Sequence, residues 1–364
     1  MTVRVEGFEE VGAGVLGRMC RLRGAVYAGD RDYCPPERGA LAREVQREAG
    51  AEEQRLFVAR RSGEDRAFAL VRRSSTLTLD GASVATIGPF EAKLDSEATG
   101  ELLRACVAWA LDGESDVVIG PMNGDTWHRY RFNLGPRDDA AYLLEPYNPA
   151  YYPQMWAEAG FEMLQTYHSR RVDDLEGAAE SQRERWDRAL SQGYEVVPMG
   201  ELRFEEALDR VYDMVRVIFR DNFLYTPIPR EEFKALYDGA ELLLRGKMSF
   251  LMVGPSGDDA GFAFVLPDYQ RAVVAMKGRR DLWAKIKFAL NRCTDTANFK
   301  TMGVMPEHRG RGLSSAIAYR CFRGMLDEGF RRTNICLIHD GNVGSIKLDG
   351  GRGRVLRRYG LYRW

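Results

Sequence analysis

The chain has 364 residues, more than one ordinary domain needs and enough for two, and its 45% apolar fraction can fill a core in each. The formal charge is −1 but unevenly spread: from His308 onward there are twelve Lys/Arg against four Asp/Glu, which suits a polyanionic ligand at that end and leaves the remainder net acidic. No run approaches the roughly 18 apolar residues of a membrane span, six scattered cysteines without a CxxC pair fit reduced thiols better than a disulfide framework or zinc site, and the opening Met-Thr-Val-Arg-Val-Glu lacks the order of a secretion signal; a cytoplasmic protein without metal or membrane partner is expected.

Residues 2–6 alternate Val3 and Val5 with polar neighbours, as a short strand does. Gly12-Ala13-Gly14-Val15-Leu16-Gly17 is formally GxGxxG, but Phe8-Glu9-Glu10-Val11 is no strand for a dinucleotide fingerprint, and a helix to about Tyr27 is predicted instead. After Cys34-Pro35-Pro36 a short helix covers 41–49. Strands follow at 55–60, 67–72, 76–79 and 82–87, the last two joined by the hairpin signal Asp80-Gly81. A helix over 96–111, with Leu102, Leu103, Cys106, Val107 and Ala110 on one face, leads to a strand over 116–120. Trp127, His128 and the aromatics between Tyr142 and Tyr167 either pack between domains or line a pocket. A helix ending at Gly160-Phe161 and a strand over 162–172 close this half.

A charged connecting helix is predicted over 175–192, then a strand (194–199), a helix (204–220), the loop Asn222 to Pro229 and a helix (230–244). Central strands are expected at 248–253, 261–265 and 299–304, with an inserted helix at 283–290. Beyond Val304-Met305-Pro306 comes Arg309-Gly310-Arg311-Gly312-Leu313-Ser314, then Leu313, Ile317, Cys321 and Met325 at steps of four, the apolar stripe of a one-sided helix. Gly310 and Gly312 stand where that helix begins, so its unpartnered amides can meet an anion, a diphosphate above all. A strand (333–339), a helix opened by Asn342 to Lys347 and a strand (354–363) complete the chain, with Gly350-Gly351-Arg352-Gly353 as a turn.

At Val304-Met305-Pro306 and Arg309 to Ser314 the chain resembles the GCN5-related N-acetyltransferases (GNAT), whose signature joins Val-x-Pro to Arg/Gln-x-x-Gly-x-Gly/Ala; Ser314 replaces the last small residue. The resemblance implies an α/β (α+β) fold of two GNAT-like domains in tandem, each a mixed, mostly antiparallel sheet flanked by helices. The expected segmentation is a first domain over 1–173, a connecting helix over 174–193 and an acyl-CoA-binding domain over 194–364. The first copy has Lys93-Leu94-Asp95-Ser96 where the glycines would be, a poor diphosphate cradle, so it is expected to have lost coenzyme binding.

By the same resemblance, Met302, Val304, Arg309, Gly310, Arg311, Gly312, Leu313, Ser314 and Asn342 are expected to hold an acyl-CoA, acetyl-CoA first, and Phe223 and Tyr225 to lie over the acceptor. A backbone amide near Gly303–Val304 is the expected oxyanion donor. His339 is the expected base, with Asp268 as runner-up through water. The family's tyrosine acid falls on Asp349 here, leaving Ser345 or Tyr225 as substitute hydroxyls, or a thiolate that leaves unaided. Cys336 sits on a strand with no histidine visibly paired to it, so direct attack by an amine of a small molecule or peptide is expected over a covalent intermediate. Nucleic acid is not an expected partner, and a homodimer is compatible with the sequence. Two alternatives stay open: a Fem-like transferase taking its acyl group from charged tRNA, which the basic C-terminal end would suit, and a non-catalytic acyl-CoA-binding module.

Overall fold

The computed structural model describes the chain except residues 1, 38, 48–50, 114, 343, 345 and 346, and except the side chain of Ser75. Two compact units form. The first comprises Met1–Thr166, Arg271–Asn291 and Arg358–Trp364; the second, Tyr167–Gln270 and Arg292–Arg357. This partition differs from a simple cut near 173, because an insertion and the last residues of the chain both belong to the first unit.

In the first unit, β1 (Val3–Phe8), β2 (Glu53–Arg61), β3 (Glu64–Leu79) and β4 (Ala82–Ala92) pair antiparallel in sequence order. β5 (Val117–Gly120) then joins β4 in parallel, and the end of β13 (Gly353–Arg363) lies antiparallel to β5 and to β6 (Phe132–Gly135). Strand alternation splits the core. Leu56 and Val58 of β2 face α1 (Ala13–Val26) and α2 (Ala40–Gln46), whereas Phe57 and Ala59 face α3 (Ser96–Asp112) and α4 (Tyr152–Glu158). The predicted strands at 67–72 and 76–79 are one strand; the polar Ser74–Thr76 stretch marks a register break against β4 between Ser74 and Thr78. β6 escaped the sequence reading because four residues give no periodicity.

Tyr152, Trp156 and Phe161 of the dense aromatic stretch are core of this unit, whereas Tyr167 belongs to the second. Trp156 is fully buried, meeting Phe90 and Phe132 edge-on at 5.4 and 5.2 Å between ring centres. Trp156→Ala is expected to destabilise the first unit by about 3–5 kcal/mol through the cavity it leaves, seen as a lower urea midpoint. His128 is likewise structural: its Nδ1 lies 2.9 Å from Asp125, whose Oδ1 also accepts from the amides of Trp127 and His128.

In the second unit the strand order is β8 (Glu195–Pro198), β9 (Phe250–Val253), β10 (Asp259–Pro267), β11 (Thr296–Val304), β12 (Arg332–His339), then the Tyr167–Val172 part of β7 (Glu162–Val172). All pairs are antiparallel except β11 with β12. The predicted connecting helix is two, α5 (Leu175–Glu180), capped by Asp174, and α6 (Arg183–Ser191). With α11 (Leu313–Asp327) they bury one face of the sheet against Ala263, Val265 and Phe299. α7 (Phe204–Ile218) and α8 (Arg230–Leu236) cover the other, where Phe219 meets Phe262 and Tyr237 meets Phe264. The helix predicted over 230–244 stops at Tyr237, and Gly239 leads into a short 3-10 turn. α9 (Gln270–Met276) and α10 (Leu282–Asn291) form the insertion, longer than the single helix expected. Among the described residues no helix is long and apolar enough to cross a membrane.

Candidate functional site: a parted strand pair ending on a glycine loop

β11 and β12 pair only from Thr296↔Arg332 to Phe299↔Ile335. Both strands break register at that point: β11 against β10 at Lys300, and β12 against β7 between Ile335 and Ile338, where Leu337 takes φ +57°. A bulge bends its strand, so two adjacent bulges turn the partners apart. The β11 edge left without β12 runs from Lys300 to Val304, about 16 Å at 3.3 Å per residue. Gly303 and Val304 pair regularly with Phe262 and Gly261, so the irregularity lies three to four residues before the expected oxyanion position.

The open edge runs into the glycine loop. Gly310 and Gly312 have φ of +77° and +81°, the left-handed region where a side chain is strained. Gly312 is the N-cap of α11 and offers no side-chain cap. Among the described residues, the amides of Gly310, Gly312, Leu313 and Ser314 donate to no protein acceptor, the first intrahelical bond being Ala316 N–H to Gly312 O. Together with Val304, His308 and Arg309 they line a cavity of about 410 Å³. Arg185 of α6 also lines it, its Cδ 3.2 Å from where a Gly312 Cβ would stand, and its guanidinium pairs with no carboxylate among the described residues. Sequence reading missed Arg185, because a charged helix does not reveal which arginine faces a loop 125 residues on.

The basic residues of the motif divide their work. Arg309 donates to Val304 O and to Ile218 O at the end of α7, both at 3.3 Å, bracing the strand end. Arg311 donates to Tyr194 Oη (3.1 Å) rather than into the cavity. That hydroxyl is 3.0 Å from His308 Nδ1, and His308 Nε2 is 2.7 Å from Asp258 Oδ2. Hydrogen bonding to His308 holds the Asp258 carboxyl below its usual value. Since the folded value is depressed, its support of the loop is complete above about pH 4, the unfolded value, and fades as pH falls through the folded one. Asp258→Asn is therefore expected to weaken binding of a diphosphate at this loop severalfold at pH 7, with the gap to wild type closing below pH 4; titration calorimetry across pH checks this.

The residues expected to do chemistry fall in different places. His339 ends β12 beside the parted strands, but its Nδ1 accepts the Gly341 amide at 3.1 Å, so that lone pair holds a turn. Asp268 follows β10 beside Thr296, three residues before the strands part and at the opposite end of β11 from the glycines; its Oδ1 accepts from the Gln270 amide. Asn342 is exposed and its amide closes the turn onto His339 O. Ser345 lies outside the described residues. Met302 and Val304 are on the open edge. Phe223 and Tyr225 are half-buried in the loop after α7, whose last residue, Ile218, packs against Gly303; burial raises the Tyr225 hydroxyl's pKa, which favours the protonated form. Asp349, in the place of the family tyrosine, is fully buried and accepts from Arg170 Nε (2.7 Å) and the amides of Gly351 and Gly353, a clamp on the glycine turn rather than an acid. Cys336 is buried, its Sγ 3.4 Å from Asn334 O.

One pair was not foreseen. His168 of β7 is 6% exposed, and its Nδ1 lies 2.5 Å from Asp340 Oδ1, just past the end of β12. Its Nε2 makes no hydrogen bond among the described residues. A carboxylate on one ring nitrogen fixes the tautomer and leaves the other as the base.

In the first unit, β4 and β5 pair in parallel over only three positions, Val84↔Val117 to Thr86↔Ile119. Beyond them the space is filled from within. Trp156 lies against Gly120, 2.5 Å from where a Cβ would stand, and Tyr152 donates to Glu91, a carboxyl whose pKa burial pushes up. At the start of α3, Asp95 accepts the Ala98 amide and pairs with Arg61 and Arg66. With the Ala98 amide taken by that carboxylate, this helix start has one free donor fewer for a phosphate.

No family model matches the chain. It is 21% identical over 299 residues to the bacterial ceramide synthase of Caulobacter vibrioides, covering 80% of this chain and 78% of that one. Among solved structures, a tandem GNAT protein from the clavulanic acid biosynthesis pathway matches all of this chain and 98% of its own, at 13% identity and a TM-score of 0.52. The GCN5-related glucosamine N-acetyltransferase region of a fungal multi-domain β-N-acetylglucosaminidase also matches the whole chain, at 14% identity and a TM-score of 0.54, but this chain spans only 38% of that protein. The chain has the fold of the GCN5-related N-acetyltransferases, in its tandem form.

Proposed function

We propose that the protein is an N-acyltransferase whose second unit binds an acyl-coenzyme A, with the first unit as a copy that no longer does. The observation that carries this reading is the β11 edge, left by β12 after Phe299 and leading straight to the unpartnered amides of Gly310 to Ser314. Such an edge can pair with the amides of a pantetheine arm while the helix start takes the diphosphate. Arg185 adds a positive charge beside it. The thioester then lies where the strands part. The amine nitrogen attacks the thioester carbonyl, an amide bond forms, the C–S bond breaks, and the amine's proton passes to a base while the thiolate leaves. His168, oriented by Asp340, is the base in this reading, with His339 holding the adjoining turn.

The relative named a ceramide synthase supports acylation of an amine and brings long-chain acyl groups into consideration beside acetyl. The test is incubation with acetyl- and long-chain acyl-CoA and mixed amines, sphingoid bases included, followed by thiol titration and mass spectrometry. Free coenzyme A appearing together with an N-acylated product is the expected result. Absence of both coenzyme binding and thiol release would overturn it, and binding without release would leave a non-catalytic module.

A further inference from the structure

We propose that α10 docks the protein on an anionic lipid surface. This is independent of the acyltransferase reading, because it rests on the inserted helix alone. At about 100° per residue, Ala284 and Phe288 share the inner arc of α10; Ala284 is 3% exposed and Phe288 partly buried. The opposite arc carries Leu282, Ile286, Leu290 and Trp283, exposed by 71, 39, 78 and 70%. Isolated exposed apolar residues are ordinary, but four on one arc of a ten-residue helix form a patch.

The charges around the patch identify its occupant. Lys285 and Lys287 flank the apolar arc on either side, and neither meets a carboxylate among the described residues. The turn before it adds Lys277, Arg279 and Arg280, with Asp281 the one acidic residue of 277–291. Arg279 pairs with Asp281, Arg280 with Glu37, and Asp281 caps Ala284 N–H, so the helix start is fixed. An apolar arc with tryptophan, edged by lysines whose stems can lie along it while their ammonium groups reach phosphates, is the pattern of a helix in a membrane interface. At about 15 Å it is too short to span. A second copy fits less well, since two-fold pairing through this small patch would bring its basic edges together.

Sedimentation of the full chain with vesicles of phosphatidylcholine alone or mixed equally with phosphatidylglycerol tests this. Binding to the anionic vesicles, weakened by salt, and at least tenfold weaker binding to the neutral ones are expected. Leu282→Ser with Leu290→Ser, and separately Lys285→Glu with Lys287→Glu, should each lower partitioning at least tenfold with coenzyme A binding unchanged. Trp283→Phe should remove the vesicle-induced blue shift of tryptophan fluorescence. Failure of the wild type to bind, variants that bind equally well, or a lipid-free dimer dispersed by Leu282→Ser with Leu290→Ser would each overturn the proposal.

Discussion

Gly312→Asp is expected to lower coenzyme A affinity at least a hundredfold while leaving the fold intact. Three effects act together. The new side chain must adopt φ near +81° or shift the loop, at about 1–2 kcal/mol. Its Cβ arrives 3.2 Å from the Arg185 side chain. Most important, its carboxylate can accept the first amides of α11 itself, as Asp95 accepts Ala98 N–H at the start of α3. Replacing a glycine N-cap by a carboxylate gains only a few tenths of a kcal/mol, so about 1–2 kcal/mol of backbone strain remains, a small loss of stability beside the loss of binding. Two charge-assisted hydrogen bonds to a phosphate are worth about 1.5–3 kcal/mol each, and each 1.4 kcal/mol is tenfold in affinity. Calorimetry with coenzyme A measures the loss, and a cooperative urea transition whose midpoint falls only slightly confirms the fold. Affinity within threefold of wild type would remove the glycine loop from the site. Arg185→Ala should show a smaller loss, about tenfold, that shrinks as salt is added.

The glycine loop could be read from sequence because its signal is local. Leu313, Ile317, Cys321 and Met325 recur at steps of four and all four are buried in the core, and the two glycines precede them directly. The features missed depend on contacts between distant residues. His168 and Asp340 are 172 residues apart, and nothing in either segment announces the other. Asp349 looked like a gap in the chemistry because a tyrosine was expected; its actual role is set by Arg170, 179 residues away, and by two local amides. The parting of β11 and β12 depends on bulges at Lys300 and beside Leu337, and neither residue type signals one. α10 was read only as an inserted helix, because hydropathy averaged over a membrane-length window dilutes its leucines with lysines. Which of its arcs faces solvent is decided by Ala284 and Phe288, and that needs coordinates.

His168→Gln is expected to lower kcat by about 10²–10³, the usual contribution of a positioned general base, with the KM for acyl-CoA changed less than threefold. Glutamine keeps a donor for Asp340 but has no titratable lone pair. An alkyl amine, with a pKa near 10, is almost wholly protonated at pH 7, so a base must remove the proton the acceptor carries. As pH rises the solvent does this work. The variant's rate should then climb about tenfold per pH unit toward pH 10, while the wild type levels off, and the gap between them should narrow. Asp340→Asn should fall between the two, since the imidazole remains but loses the carboxylate that orients it. His339→Gln should cost less than threefold, because its Nδ1 is engaged with Gly341. The reverse pattern, with the loss following His339 and His168→Gln nearly silent, would return the base to the end of β12. The pH profile separates this from misfolding, since a merely destabilised enzyme would not recover activity as the solution becomes alkaline.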